Sequence, residues 1–145
     1  MEGLGKEFNV IPVASGLHVS LKNASGVTYV CYENGGAQAI AIKESIAGAS
    51  EQALAVVDHL YSSDGVGSTW SRDTVDANGA LGTGDAAIVK QDTTAYDCAS
   101  FYIDASELSA GFDSVEVTID GAGICIAIVH LLAQRSPVNL GTSAV

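Results

Sequence analysis

The sequence predicts an all-β, single-domain fold: an antiparallel β-sandwich or barrel-like domain with an extended N-terminal arm. Three observations carry that expectation. Short segments in which apolar and polar residues alternate recur along most of the chain. Turn clusters of Gly, Asn, Asp and Ser separate them, with 16 glycines against 2 prolines. Only residues 51–61 carry a pattern compatible with a helix.

The arm spans residues 1–15. Its apolar patch is Val10-Ile11-Pro12-Val13, and Pro12 disfavours a helix and a central strand alike. The β-rich domain spans 16–137. It opens with Leu17, Val19 and Leu21 alternating against His18, Ser20 and Lys22, so His18 is expected to point outward. After the Asn23–Gly26 turn, residues 27–33 are β-branched and aromatic. Asn34-Gly35-Gly36 is a hairpin signal, and residues 37–46 follow as a third strand, so the first three strands read as a meander.

Residues 51–61 fit both periods. Ser50 is a possible helix cap and the alanines favour a helix, but the β context on both sides favours a strand. Further strands are expected at 67–75, which holds the single Trp70, and at 86–90 and 100–104. One helical turn or a plain turn falls at 106–111. In 114–119, Val115, Val117 and Ile119 face inward and Glu116 and Thr118 outward. Ile124 to Leu132 is apolar on both faces, as a strand buried between layers should be. Residues 138–145 form a short C-terminal tail beyond Pro137.

The 145-residue chain has 17 acidic and 6 basic side chains, a formal net charge of −11. Six scattered cations cannot build a phosphate-binding patch, so nucleic acid is not an expected partner. Only 16% of residues are charged while 48% are apolar. Mean hydropathy is +0.29, which argues against disorder. No apolar run approaches the roughly 18 residues of a membrane-spanning helix, and the N-terminus lacks the features of a signal peptide. A cytosolic site of synthesis and assembly is expected.

No chemistry-bearing motif stands out. Cys31, Cys98 and Cys125 lack metal-ligand spacing and read as structural thiols. His18, His59 and His130 are dispersed, and no GxSxG elbow accompanies them. The Asp-rich turns at 64–65, 76–79 and 84–85 offer oxygens to calcium, but the closing position of an EF-hand begun at Asp76 is Ala87. The sequence therefore predicts no enzyme, no catalytic residue, no cofactor and no metal. Trp70, with Tyr61 and Arg72 nearby, is a candidate sugar platform or, more simply, a core or interface aromatic.

Two stretches resemble small structural proteins of tailed bacteriophages. One runs from Leu108 to Val117 and on through His130 to the Gln134-Arg135-Ser136-Pro137-Val138-Asn139-Leu140 stretch; the other is Ser63 to Trp70. The resemblance covers about half the chain. It implies a non-enzymatic virion component, above all a head decoration or cement protein. Such a protein sits on the capsid surface, bridges subunits of the major capsid protein and forms a homo-oligomer, with a trimer expected. The alternatives are a tail or neck component and, independently of the resemblance, a β-sandwich carbohydrate-binding module. In the assembly reading Val10, Ile11, Pro12, Val13, Trp70 and Pro137 are the expected partner-binding residues. The doubly apolar strand is accounted for by a two-layer core, which leaves the arm as the segment in need of a partner.

Overall fold

A computed structural model of the chain describes residues 8–13, 16–32, 39–63, 69–74, 87–89, 98–119 and 123–131. In chain order the strands are β1 (Phe8–Val13), β2 (His18–Ser20), β3 (Ala24–Tyr32), β4 (Ala39–Ile46), β5 (Ala49–Ala53), β6 (His59–Ser63), β7 (Ser71–Thr74), β8 (Ala87–Val89), β9 (Cys98–Asp104), β10 (Ser114–Ile119) and β11 (Ile124–Leu131). A 3-10 turn, Ala105–Glu107, follows β9. One sheet has the order β1-β11-β3-β9-β6-β7 and the other β2-β10-β4-β5, with β8 also on β4. Every pairing is antiparallel. The fold is an all-β sandwich.

Alternation builds the core. From the first sheet, Val27, Tyr29, Cys31, Leu60, Phe101, Ile103, Ala127 and Val129 point inward; Val19, Ile40, Ile42, Val115 and Val117 come from the second. Each large aliphatic side chain buried this way contributes about 1.5–3 kcal/mol. Tyr29 stacks on Phe101 at 5.6 Å and donates its hydroxyl to the Val115 carbonyl at 3.3 Å, which ties one sheet to the other. Burial pushes its phenol well above the usual range. Cys31 and Cys125 face each other in this core with their Sγ atoms 2.9 Å apart.

Several expectations are corrected. Residues 8–13 of the expected arm are extended, but they form an edge strand that runs in register along β11, from Phe8 opposite His130 to Val13 opposite Cys125. An edge position suits Pro12, which lacks a donor. Ile11 and Val13 are buried in this chain's own core. The expected meander is absent. β2 and β4 belong to one sheet and β3 to the other, so the chain crosses between layers at the turn after β2, where Asn23 takes a positive φ of 63°. Residues 51–61 form neither one helix nor one strand. β5 ends at Ala53, residues 54–58 are irregular, and β6 starts at His59. Leu54 and Val57 anchor the irregular piece in the core.

The doubly apolar strand is buried on one face only. Cys125, Ala127 and Val129 enter the core, whereas Ile124 and Ile126 are exposed. Conversely, His18 and Glu116, expected outward in solvent, do lie on the outer face of their sheet but are buried. No helix among the described residues is long and apolar enough to cross a membrane.

Candidate functional site

The outer face of the six-stranded sheet is the most distinctive surface. Strand register sets its rows. Pro12, Ile126, Val30, Ser100, Tyr61 and Arg72 follow one another across the sheet. Val10, Ile128, Thr28 and Tyr102 form the next row, and Ile124, Tyr32 and Cys98 the row on the other side. The half built by β1, β11 and β3 is mostly aliphatic and aromatic, broken by the Thr28–His130 hydrogen bond, with no Asp, Glu, Lys or Arg among these positions. Ile124 is 62% exposed and Tyr32 48%. Among the described residues no further layer covers this face, which makes it a candidate interaction surface.

Toward β6 and β9 the same face becomes polar and concave. A groove of about 500 Å³ has Asp58, His59, Tyr61, Tyr102, Asp104 and Glu107 among its lining residues. His59 lies edge-on to Tyr61, with ring centroids 5.8 Å apart, and its Nδ1 hydrogen-bonds the Asp58 carboxylate. That bond holds Asp58 below the usual carboxylate range. Asp104 is likewise held low, by the Ser106 hydroxyl and amide that close the 3-10 turn. Tyr102 donates to the Ser25 carbonyl at 3.3 Å, and its ring lies 5.7 Å from that of His130.

The residues expected to bind a partner are not one site. Val10 and Pro12 lie on the exposed apolar face, beside Ile128 and Ile126. Ile11 and Val13 point to the opposite side, into the core, and present nothing to a neighbour. Trp70 is 48% exposed, but it precedes β7 at the far edge of the sheet, roughly 24 Å from β1 at the usual strand spacing. It does not line the groove. Pro137 and the Asp-rich turns at 64–65, 76–79 and 84–85 lie outside the described residues. Ile124, Ile126, Tyr32 and Tyr102 were not anticipated. The signal was the second apolar face of β11, which remains exposed because, among the described residues, one layer alone packs on that sheet.

The second sheet carries a buried polar cluster on its outer face. In register, His18 of β2 opposes Glu116 of β10, and Glu116 opposes Lys43 of β4. His18 Nδ1 lies 2.9 Å from Ser45 Oγ, and its Nε2 lies 3.1 Å from Glu51 Oε1 and 3.9 Å from Glu116 Oε2. Lys43 Nζ reaches Glu51 Oε2 at 2.8 Å and Glu116 Oε2 at 3.8 Å. The hydrogen bond to Glu51, then the charge of Glu116, raises the Lys43 pKa. The same bond lowers that of Glu51. Sequence alternation placed His18 and Glu116 on the correct face. It could not bring them together, because that requires the β2-β10-β4-β5 order.

Comparisons with models of protein families, with curated proteins and with solved structures find no match to this chain.

Proposed function

We propose that the chain is a non-enzymatic assembly protein that works by burying the outer face of its six-stranded sheet against other subunits. The observation that carries this reading is the uncharged face of Val10, Pro12, Ile124, Ile126 and Tyr32, exposed among the described residues. Its specific form follows from the resemblance: a head decoration or cement protein of a tailed bacteriophage, contacting the major capsid protein as a homo-oligomer, with a trimer as the expected state. The net charge of −11 suits that setting, since it repels packaged nucleic acid. Electron microscopy of the native particle tests the reading. Density for the chain on the head surface supports it, and density in the tail or neck moves the role there. A strictly monomeric chain absent from particles overturns it.

The groove supports a second reading, a carbohydrate-binding module. Tyr61 and Tyr102 offer ring faces and Asp58, Asp104 and Glu107 offer acceptors for sugar hydroxyls. A glycan panel that leaves tyrosine fluorescence and thermal stability unchanged eliminates it.

A further inference from the structure

We propose that His18, Glu51 and Glu116 form a binding site for one divalent cation of the zinc class. The three donors come from three strands and converge on one point. Nε2 of His18, a carboxylate oxygen of Glu51 and one of Glu116 all lie within 4.8 Å of one another. Tetrahedral zinc with bonds of about 2.0–2.2 Å sets its ligand atoms roughly 3.3–3.6 Å apart. The separations of 3.1 Å and 3.9 Å from His18 Nε2 bracket that value. A small rotation of the part-exposed Glu51 carboxylate completes the geometry.

Two observations point to a ligand rather than to an ordinary ion pair. Glu116 is only 5% exposed, and its Oε2 has no hydrogen-bond partner among the described residues. A buried carboxylate oxygen without a hydrogen bond is costly, and this one faces His18 Nε2 and Lys43 Nζ only at 3.9 Å and 3.8 Å. Glu44, the other buried glutamate, shows the contrast. Its oxygens accept from Gln52 Nε2 at 2.5 Å and from the Ser109 amide at 2.8 Å. The second observation is Ser45 Oγ on His18 Nδ1, which holds the ring with Nε2 facing both carboxylates. A metal would replace the proton that Nε2 shares with Glu51 in its absence, and Nδ1–H would then donate to Ser45, the arrangement of a metal-binding imidazole.

One imidazole nitrogen and two carboxylate oxygens favour zinc and its first-row neighbours over calcium and magnesium, which take oxygen ligands throughout. The Lys43 ammonium already holds a positive charge beside both carboxylates, so it competes with a metal for Glu116 Oε2. Glu51 bridges the two, with Oε2 on Lys43 and Oε1 toward the metal position. Lys43 and Glu51 are part-exposed, which leaves a route from solvent. The inference does not depend on the assembly role.

The test is calorimetric titration of the metal-stripped full chain with zinc, repeated with cobalt for its visible absorption. One zinc per chain is expected. Glu116→Gln and Glu51→Gln each weaken binding at least ten-fold. Glu51 lies on the exposed strand β5, so its variant keeps the fold and decides the matter if Glu116→Gln does not fold. Lys43→Met removes the competitor and tightens binding about ten-fold. Absence of saturable binding up to about 1 mM zinc, or unchanged affinity in folded Glu51→Gln, overturns the site. A Lys43→Met chain that binds no more tightly overturns the competition it rests on.

Discussion

Gly26 shows how one residue positions the exposed face. A Cβ built there would sit 2.2 Å from the Tyr102 hydroxyl oxygen and 2.5 Å from the Ile103 carbonyl oxygen. The tyrosine could swing away, but the carbonyl is part of the β3–β9 ladder and cannot. Gly26→Ala is therefore expected to cost about 1–3 kcal/mol, as overpacking does, and to release Tyr102 from Ser25. Urea unfolding measures the first effect and tyrosine fluorescence the second; a wild-type midpoint would contradict the packing argument. Asp113 is a second single-residue determinant. Its Oδ1 accepts from the Ala47 amide at 2.8 Å and from Ser114 Oγ at 2.7 Å, and its Oδ2 pairs with Lys22 Nζ at 3.0 Å. Partial desolvation raises its pKa, but these bonds outweigh it and hold the carboxyl below its ordinary value. A depressed carboxylate contributes stability above the unfolded pKa of about 3.9 and loses it as pH falls through the folded one. Asp113→Asn is thus expected to cost about 1–2 kcal/mol at pH 7, with the gap to wild type closing below pH ~4. Equal gaps in urea midpoints at pH 7 and pH 3 would contradict it.

At the level of elements, Asp113 explains the local path of the chain. The β4–β5 hairpin turns on Ala47 and Gly48, both at positive φ, and a non-glycine residue there costs roughly 1–2 kcal/mol. The Asp113 carboxylate on the Ala47 amide offsets part of that cost. After β9, Asp104 and Glu107 form a reciprocal capping box, so the chain leaves the sheet in a defined direction. Such local chemistry is what a sequence displays, and the strands starting near residues 18, 39, 98, 114 and 124 were legible from alternation and turns, whereas the expected turn at Asn23–Gly26 shrinks to Asn23, because Ala24–Gly26 already pair within β3. Hairpin chemistry also suggested that neighbours in sequence pair, and here it misled. Alternation gives the face of a residue but not the sheet to which the strand belongs. β2 and β4 both flank β10, whereas β3 lies between β11 and β9. The polar cluster follows from that order alone, since His18, Glu116 and Lys43 are far apart in the chain and adjacent in register.

For the whole molecule, the sandwich redistributes the apolar surface that the composition implies. Pro12 and the patch around it suggested an arm reaching for a neighbour, and the doubly apolar β11 suggested a closed core. The packing divides both between the two faces. β1 covers the edge of β11 and sends Ile11 and Val13 inward, while the second face of β11 remains open. The two assignments predict opposite outcomes for two substitutions. Ile11→Ala truncates a core side chain, so it is expected to destabilise the isolated chain by about 2 kcal/mol or more. Were Ile11 an arm residue waiting for a partner, the isolated chain would be indifferent to its loss. Ile124→Glu places a charge on a side chain that is 62% exposed. It should leave the urea midpoint of the free chain within about 0.5 kcal/mol of wild type, because no core contact is lost. If the open face is the assembly surface, the same charge must then be buried without a partner in the complex, which costs several kcal/mol. Light scattering should report a monomer where wild type forms an oligomer, and sedimentation with particles should be lost. An Ile124→Glu chain that still assembles would move the interface off this face of the sheet.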